Sequence, residues 1–207
     1  MADTSLMEAL VLALSAVLAI VYVAVVRRMP GFGLITFFLV IAFVPIWVEV
    51  HAVVVTVSLA SAVAGGTALA LVTRKPPRLW TIADLLMGSL FLLAVAPFAL
   101  GLISLNAALV VVFVWATAYL LGRVALLNVP KDSLYTWVTV LLAVVAVFAV
   151  AEFLTGWHPL SQWGPSNANR VVWGTIQERG GLARAEGAFG HSIALGTTLA
   201  IGVVLAV

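Results

Sequence analysis

The segment from Arg184 to Ser192 carries the residues of this chain best suited to binding chemistry. It reads Arg-Ala-Glu-Gly-Ala-Phe-Gly-His-Ser and lies at the start of the last apolar run. A guanidinium fork can hold phosphate oxygens through paired hydrogen bonds. Glycines let backbone approach a ligand closely, and exposed amides at a helix start attract anions. We therefore predict an anion-binding site that includes Arg184, Glu186, Gly187 and Gly190.

A plainer interpretation of the same residues stays open, in which Arg184 is an interfacial anchor or an ion-pair partner of Glu186. Metal chemistry is not expected. His51, His158 and His191 are predicted near one face, but none has a carboxylate three or four positions after it, and their spacing matches no ligand motif. The chain has no cysteine, and no phosphate-binding loop, dinucleotide fingerprint or nucleophile elbow is present.

The composition predicts how this segment is positioned. Hydrophobic residues make up 64% of the 207 residues and charged residues 9%, whereas a soluble domain is typically about one quarter charged. So apolar a chain needs lipid as its solvent. The basic residues are scattered between apolar runs and form no stripe, which argues against a nucleic-acid partner.

A membrane-spanning helix needs about 20 mostly apolar residues, and we predict an all-α, polytopic transmembrane helix bundle forming a single domain over 1–207. The apolar region after Arg28 is too long for one crossing, and Glu49 and His51 near its middle would be costly in lipid, so we divide it into a helical hairpin with its turn around residues 48–51. About seven transmembrane helices are predicted, over 5–26, 32–48, 52–72, 82–100, 105–121, 134–153 and 189–207, with an outer loop over 155–187.

Basic residues of the short connections predict the orientation of the bundle. They fall on alternate connections and therefore on one side, which the positive-inside rule makes cytoplasmic. The N-terminus and the 155–187 loop are then outside, and this loop would meet the headgroup of a lipid diphosphate. The basic residues of the predicted cytoplasmic side are Arg27, Arg28, Arg74, Lys75, Arg78, Arg123 and Lys131.

Residues 184–196 resemble the signature opening of the O-antigen ligase and O-antigen polymerase family of membrane glycosyltransferases. In that family an Arg, two residues, a Gly and a Phe-Gly-His/Asn-Pro-like turn lead into a helix. Two further stretches are similar: Ala-Asp-Leu-Leu at 83–86, and Ala-Glu-Phe-Leu-Thr-Gly at 151–156, which closes the helix before the loop. Ser192 stands where the family often has Pro.

The resemblance implies transfer of a glycan from a polyprenyl-diphosphate carrier to a glycan acceptor at the outer face of the bacterial cytoplasmic (inner) membrane. It implies no nucleotide sugar, cofactor or metal. Arg184 matches the motif Arg and would bind the diphosphate and stabilise its charge as it leaves. His191 belongs to the matching stretch and joins Arg184, Glu186 and Gly187 as a substrate-binding candidate.

The resemblance also implies that these residues are the N-terminal part of a longer enzyme and inactive alone, because the family's catalytic His lies further downstream. The alternative is a non-catalytic membrane protein, such as a lipid-carrier transporter or an assembly partner. A transporter should show a polar path across the membrane. Here the strongest polar candidates inside helices are Asn106 and Thr117, which we interpret as packing or interhelical hydrogen bonding.

Overall fold

A computed structural model of the chain describes residues 2–51, 56–77 and 81–206. Within these residues the fold is all-α, with two short β-hairpins on the connections. The helices are α1 (Ala2–Arg28), α2 (Pro30–Phe43), α3 (Leu59–Arg74), α4 (Ile82–Ala99), α5 (Leu105–Asn128), α6 (Lys131–Thr155), α7 (Ala168–Trp173) and α8 (Ser192–Ala206). The strands are β1 (Glu49–His51), β2 (Thr56–Ser58), β3 (Glu178–Arg179) and β4 (Leu182–Ala183), and a 3₁₀ turn spans Gly187–Phe189.

In the part of the chain that the structure describes, three helices, α4, α5 and α6, are long and apolar enough to cross a membrane. Three shorter apolar helices lie at Pro30–Phe43, Leu59–Arg74 and Ser192–Leu205. A straight crossing of the hydrocarbon core needs about 20 residues, so these three helices are compatible with a membrane protein by length and composition. The expected total of about seven crossings and the outside N-terminus stay predictions.

The turn predicted around residues 48–51 lies in the connection between α2 and α3, which contains the β1–β2 hairpin. α2 ends at Phe43, not at residue 48, and Val44 is extended (φ −98°, ψ 119°). Pro45 explains this end, because a proline disfavours helical backbone in the residue before it. β1 then pairs antiparallel with β2. Thr56 and Val57 of β2 are β-branched and favour strand over helix. The start of the predicted 52–72 helix, at 52–55, lies outside the described residues.

α3 is the central helix of the bundle and packs against α1, α2 and α5. Its buried face is made of small residues, including Ser61, Ala64 and Ala68, which let the neighbouring backbones approach closely. Thr67 is fully buried, and its Oγ1 lies 2.7 Å from the Tyr22 hydroxyl of α1. Small side chains on α3 thus allow close packing with its neighbours, and a buried hydrogen bond joins α3 to α1.

The bundle is polarised by charge along α3. Val26, Leu71, Val124 and Val129 lie in one core cluster, so the ends of α1, α3 and α5 meet there with the start of α6. The charged residues at this basic end are Arg27, Arg28, Arg74, Lys75, Asp84, Arg123, Lys131 and Asp132, while Arg78 lies outside the described residues. The other end of α3 begins at Ser58, beside the β1–β2 hairpin, and we call it the acidic end because Glu49, Glu152 and Glu186 lie there.

Candidate functional site

The segment between α6 and α8, predicted as an outer loop, is built from short ordered elements. α6 ends at Thr155, and Gly156 reverses the chain in a left-handed conformation (φ 64°) that glycine adopts without a steric penalty. α7 follows, and β3 and β4 then form a hairpin whose two turn residues, Gly180 and Gly181, both have positive φ. The chain next enters the 3₁₀ turn and starts α8 at Ser192.

The guanidinium of Arg184 is held beside the start of α8. Arg184 Nη1 donates to the Ser192 hydroxyl at 3.2 Å, and its backbone N–H donates to the carbonyl of Gln177 at 3.0 Å. Among the described residues no carboxylate lies within ion-pair distance of this guanidinium. The interpretation of Arg184 as an ion-pair partner of Glu186 is therefore not what the geometry shows. The Ser192 hydroxyl therefore holds the arginine side chain beside the start of α8.

Glu186 points inward and acts as an anchor for the segment. Only 4% of Glu186 is exposed, and its Oε1 accepts a hydrogen bond from the backbone N–H of Gln177 at 3.0 Å. Burial raises the pKa of this carboxyl above its ordinary value, while the Gln177 hydrogen bond and the nearby His191 oppose the shift. The side chain predicted to bind substrate thus ties the 3₁₀ turn to the strand before it.

The two glycines predicted to open the backbone have defined internal roles. Gly187 has φ +55°, and its N–H donates to Oε2 of Glu152 on α6 at 3.0 Å. Gly190 has φ +64°, and a Cβ there would lie 3.0 Å from the carbonyl oxygen of Trp173. Close approach is therefore real at Gly190, but the neighbour is α7 of the same chain.

His191 lies at the entrance to α8. Its Nδ1 accepts a hydrogen bond from the backbone N–H of Ile193 at 3.1 Å, which satisfies one of the free amides at the helix start. Its ring meets Trp173 edge-on, with 6.5 Å between ring centroids. Arg184, Glu186, Gly187 and His191 thus occupy one short stretch around the 3₁₀ turn, and the Arg184 guanidinium is the group whose contacts leave it suited to an anion.

Sequence reasoning missed the pair formed by Glu152 and His158. Glu152 Oε1 lies 2.6 Å from His158 Nδ1, and the His158 side chain is 7% exposed. His158 Nε2 is buried without a hydrogen-bond partner among the described residues. The signal was Gly156, because a glycine after a helix end turns the chain back over the last helical turn. Within the described part of the chain, no three His, Cys, Asp or Glu residues are grouped as a metal site.

A second missed contact joins the α2–α3 connection to the candidate site. Trp47 is 1% exposed, and its Nε1 donates to the carbonyl of Trp163 at 2.8 Å. Asn167, the N-cap of α7, donates from Nδ2 to the Trp47 carbonyl and to Glu49. The β1–β2 hairpin therefore supports the segment that carries Arg184, although more than one hundred residues separate them in the sequence.

An apolar cavity of about 150 Å³ lies directly beneath the 3₁₀ turn, between α2, α6 and α8. Ala42, Val145 and Leu195 form the buried cluster around it, and Ala185, the residue after Arg184, packs against this cluster. The cavity wall also includes Glu152, Gly187 and Phe189. A guanidinium and an apolar cavity thus adjoin the same short stretch, an arrangement suited to a molecule with an anionic head and an apolar tail.

No protein-family model, curated protein or solved structure matches this chain.

Proposed function

We propose that this chain belongs to a membrane glycosyltransferase, a glycan ligase or polymerase, that transfers a glycan from a polyprenyl-diphosphate carrier to an acceptor at the outer face of the membrane. The observation that carries the proposal is the position of Arg184, whose guanidinium lies at the start of α8 and whose neighbour Ala185 packs against the cluster around an apolar cavity. The resemblance of residues 184–196 to the O-antigen ligase and polymerase family supports the same assignment.

In the proposed glycan transfer, the main tasks of the protein are to stabilise the charge of the leaving diphosphate and to position the donor and the acceptor. When the acceptor hydroxyl attacks the sugar, its oxygen bonds to the anomeric carbon as the bond from that carbon to the diphosphate oxygen breaks. The electron pair leaves with the phosphate oxygen, and the hydroxyl proton passes through solvent to the released diphosphate. A fixed guanidinium stabilises this charge more strongly near lipid than in water. Arg184 supplies the guanidinium, and the cavity, whose volume suits a benzene-sized group, takes the first isoprene unit of the tail.

The proposed location is the bacterial cytoplasmic membrane with Arg184 outside. The clustering of Arg27, Arg28, Arg74 and Lys75 at the basic end supports this orientation, because basic residues are retained on the cytoplasmic side. The candidate site lies at the opposite end of α3, near β1 and β2. The partners in this proposal are the lipid-linked glycan, its acceptor and membrane lipid.

One observation favours a second function, that of a non-catalytic membrane protein such as a lipid-carrier transporter or an assembly partner. Glu186 is buried and the Gly187 N–H is used within the chain, so two of the predicted substrate-binding residues serve the fold. A protein that only binds a lipid carrier needs no more than Arg184 and the cavity.

A transfer assay separates the two functions. The complete protein in membranes is given a polyprenyl-diphosphate-linked glycan and acceptor, and product is measured for wild type, Arg184→Ala and Arg184→Lys. We expect Arg184→Ala to lose about a hundredfold in transfer rate, as for removal of one charge-stabilising donor. We expect Arg184→Lys to be little faster than Arg184→Ala, because an ammonium lacks the paired hydrogen-bond donors of a guanidinium. The matched control is Arg179→Ala, an exposed arginine of β3. Wild-type transfer by Arg184→Ala would contradict the proposal.

A further inference from the structure

A second cavity, of about 500 Å³, lies at the basic end, and the proposed glycan transfer does not use it. α3 separates it from the candidate site, since a 16-residue helix is about 24 Å long. Its volume falls within the roughly 300–1,000 Å³ of typical small-molecule sites. The residues that line it are Arg74, Lys75, Pro76, Pro77, Thr81, Arg123 and Leu127.

Three cations from two helix ends converge on this cavity. Arg74 and Lys75 are exposed at the end of α3, and Lys75 Nζ donates to the carbonyl of Leu127 at 3.4 Å. Arg123 enters from α5. Cations at the C-terminal end of a helix also stabilise the helix dipole, and this alone would explain why Arg74 and Lys75 lie at the end of α3. It does not account for Arg123, which another helix brings to the same cavity.

Asp84 fixes the position of Arg123. Its Oδ2 accepts from Arg123 Nη2 at 3.0 Å, and its Oδ1 accepts from the Tyr119 hydroxyl at 2.6 Å. The same carboxylate closes a capping box with Thr81 at the start of α4. Among the described residues, these three cations and the Asp84 carboxylate sum to a net positive charge, and the group that orients Arg123 is itself held by several hydrogen bonds.

The backbone around the cavity is constrained. Pro76 and Pro77 follow the end of α3 and fix φ at two successive positions. Thr81, on the other wall, is the extended N-cap of α4 (φ −119°, ψ 166°). The backbone at these lining residues therefore loses little conformational freedom when a ligand binds.

Apolar side chains flank the cations on the lipid-facing side. Leu127 is 44% exposed, and Ile82 and Leu85, in the first turn of α4 after Thr81, are 78% and 70% exposed. α4 buries none of its residues and is one of the three helices fit to cross a membrane. A phosphate bound by the cations would therefore have apolar surface beside it, as an acyl-chain lipid requires and a free phosphate does not.

We propose that Arg74, Lys75 and Arg123 bind the phosphate headgroup of an anionic phospholipid in the leaflet at the basic end. Basic pockets between membrane helices are suited to such headgroups. The site goes beyond the proposed glycan transfer and does not depend on it, since it uses different residues at the other end of the bundle.

The test measures phospholipid retained by the purified protein in nanodiscs of phosphatidylcholine with a minor share of phosphatidylglycerol. The variant is Arg74→Ala/Lys75→Ala, whose two side chains are exposed and leave the core untouched. The matched control, Arg27→Ala/Arg28→Ala, removes the same charge from the same end but from outside the cavity. We expect the cavity variant to lose about 30-fold in preference for phosphatidylglycerol, and the control to keep most of it.

A second arm adds inorganic phosphate as competitor. Retention of phosphatidylglycerol in the presence of millimolar phosphate supports a lipid site. Displacement of phosphatidylglycerol by the same phosphate identifies a soluble-anion site and overturns the proposal. Equal losses in the two double variants would also overturn it, because only general charge would then matter. Arg123→Gln provides an independent variant, and we expect it to weaken retention of phosphatidylglycerol as well. Wild-type retention in both cavity variants would count against the site.

Discussion

Glu152 Oε1 and His158 Nδ1 are 2.6 Å apart, although α6 ends between the two residues. The other carboxylate oxygen of Glu152 accepts from the Gly187 N–H at 3.0 Å. One side chain on a long apolar helix therefore holds both the start and the end of the segment that carries the candidate site. The geometry of Arg184 depends on this connection.

Removal of the Glu152 carboxylate should destabilise the candidate site. Glu152→Ala leaves the His158 ring and the Gly187 N–H without their acceptor, and a buried polar group left without its hydrogen bond costs about 1–3 kcal/mol. We expect a clear fall in Tm, measured by thermal unfolding of the purified protein. Glu152→Gln keeps an acceptor for Gly187 and should lose less. Glu178→Ala, at an exposed glutamate of β3, is the control, and an equal Tm for all variants would contradict the assigned role.

The raised pKa of Glu186 predicts a pH-dependent stability. Burial raises its pKa above the ordinary 4.5, with His191, His158 and Glu152 as the other titratable groups nearby. The protonated carboxyl stabilises the folded protein fully at pH values below the pKa of Glu186 in the unfolded protein. This stabilisation is lost as the pH rises through the higher pKa of Glu186 in the folded protein. As the pH increases above 4.5, the Tm of wild type should therefore fall relative to the Tm of Glu186→Gln, which has no carboxyl to ionise at this position. Parallel curves for the two proteins would exclude a raised pKa.

Gly190 should tolerate no side chain. Its φ is +64°, and a Cβ would lie 3.0 Å from the Trp173 carbonyl oxygen, so Gly190→Ala combines backbone strain with a steric conflict. We expect a loss of about 2 kcal/mol in unfolding free energy, seen as a lower Tm. Gly88→Ala, where a Cβ meets nothing within 4 Å in a helix, should be neutral or slightly stabilising. A Gly190→Ala protein as stable as Gly88→Ala would contradict the described turn.

The proposed orientation can be tested by labelling, because the natural chain has no cysteine. Single cysteines are introduced at Leu182, 60% exposed at the acidic end, and at Met29, 62% exposed at the basic end. A membrane-impermeant maleimide should label Leu182→Cys in intact spheroplasts and Met29→Cys only after permeabilisation. The opposite pattern would place the candidate site in the cytoplasm.

Helical segments were predictable because apolar length alone specifies a membrane helix. The predicted 82–100 helix ends one residue from the observed Ile82–Ala99, whereas the predicted 105–121 helix ends seven residues before the observed end of Leu105–Asn128. The polar candidate Thr117 bonds within its own helix, to the carbonyls of Phe113 and Val114. Hydropathy could not predict the β1–β2 hairpin, since β-branched apolar residues are equally hydrophobic in a strand and in a helix.

The candidate site was only partly predictable, since the motif gives residue types and not their contacts. It drew attention to Arg184, but not to the Ser192 hydroxyl that orients it. The inward direction of Glu186 depends on the backbone N–H of Gln177, which lies just before β3 and nine residues earlier in the sequence. The support from Trp47 and Asn167 joins segments far apart in sequence, and no local pattern predicts such a contact.

Direct binding of a polyprenyl diphosphate to the purified protein tests the central claim most directly. Affinity is measured by native mass spectrometry for wild type, Arg184→Ala and the Arg179→Ala control, with the neutral polyprenol as a second ligand. We expect wild type and Arg179→Ala to prefer the diphosphate over the polyprenol, and Arg184→Ala to bind both alike. If Arg184→Ala retains the wild-type preference for the diphosphate, Arg184 does not bind the carrier and the proposed function loses its basis.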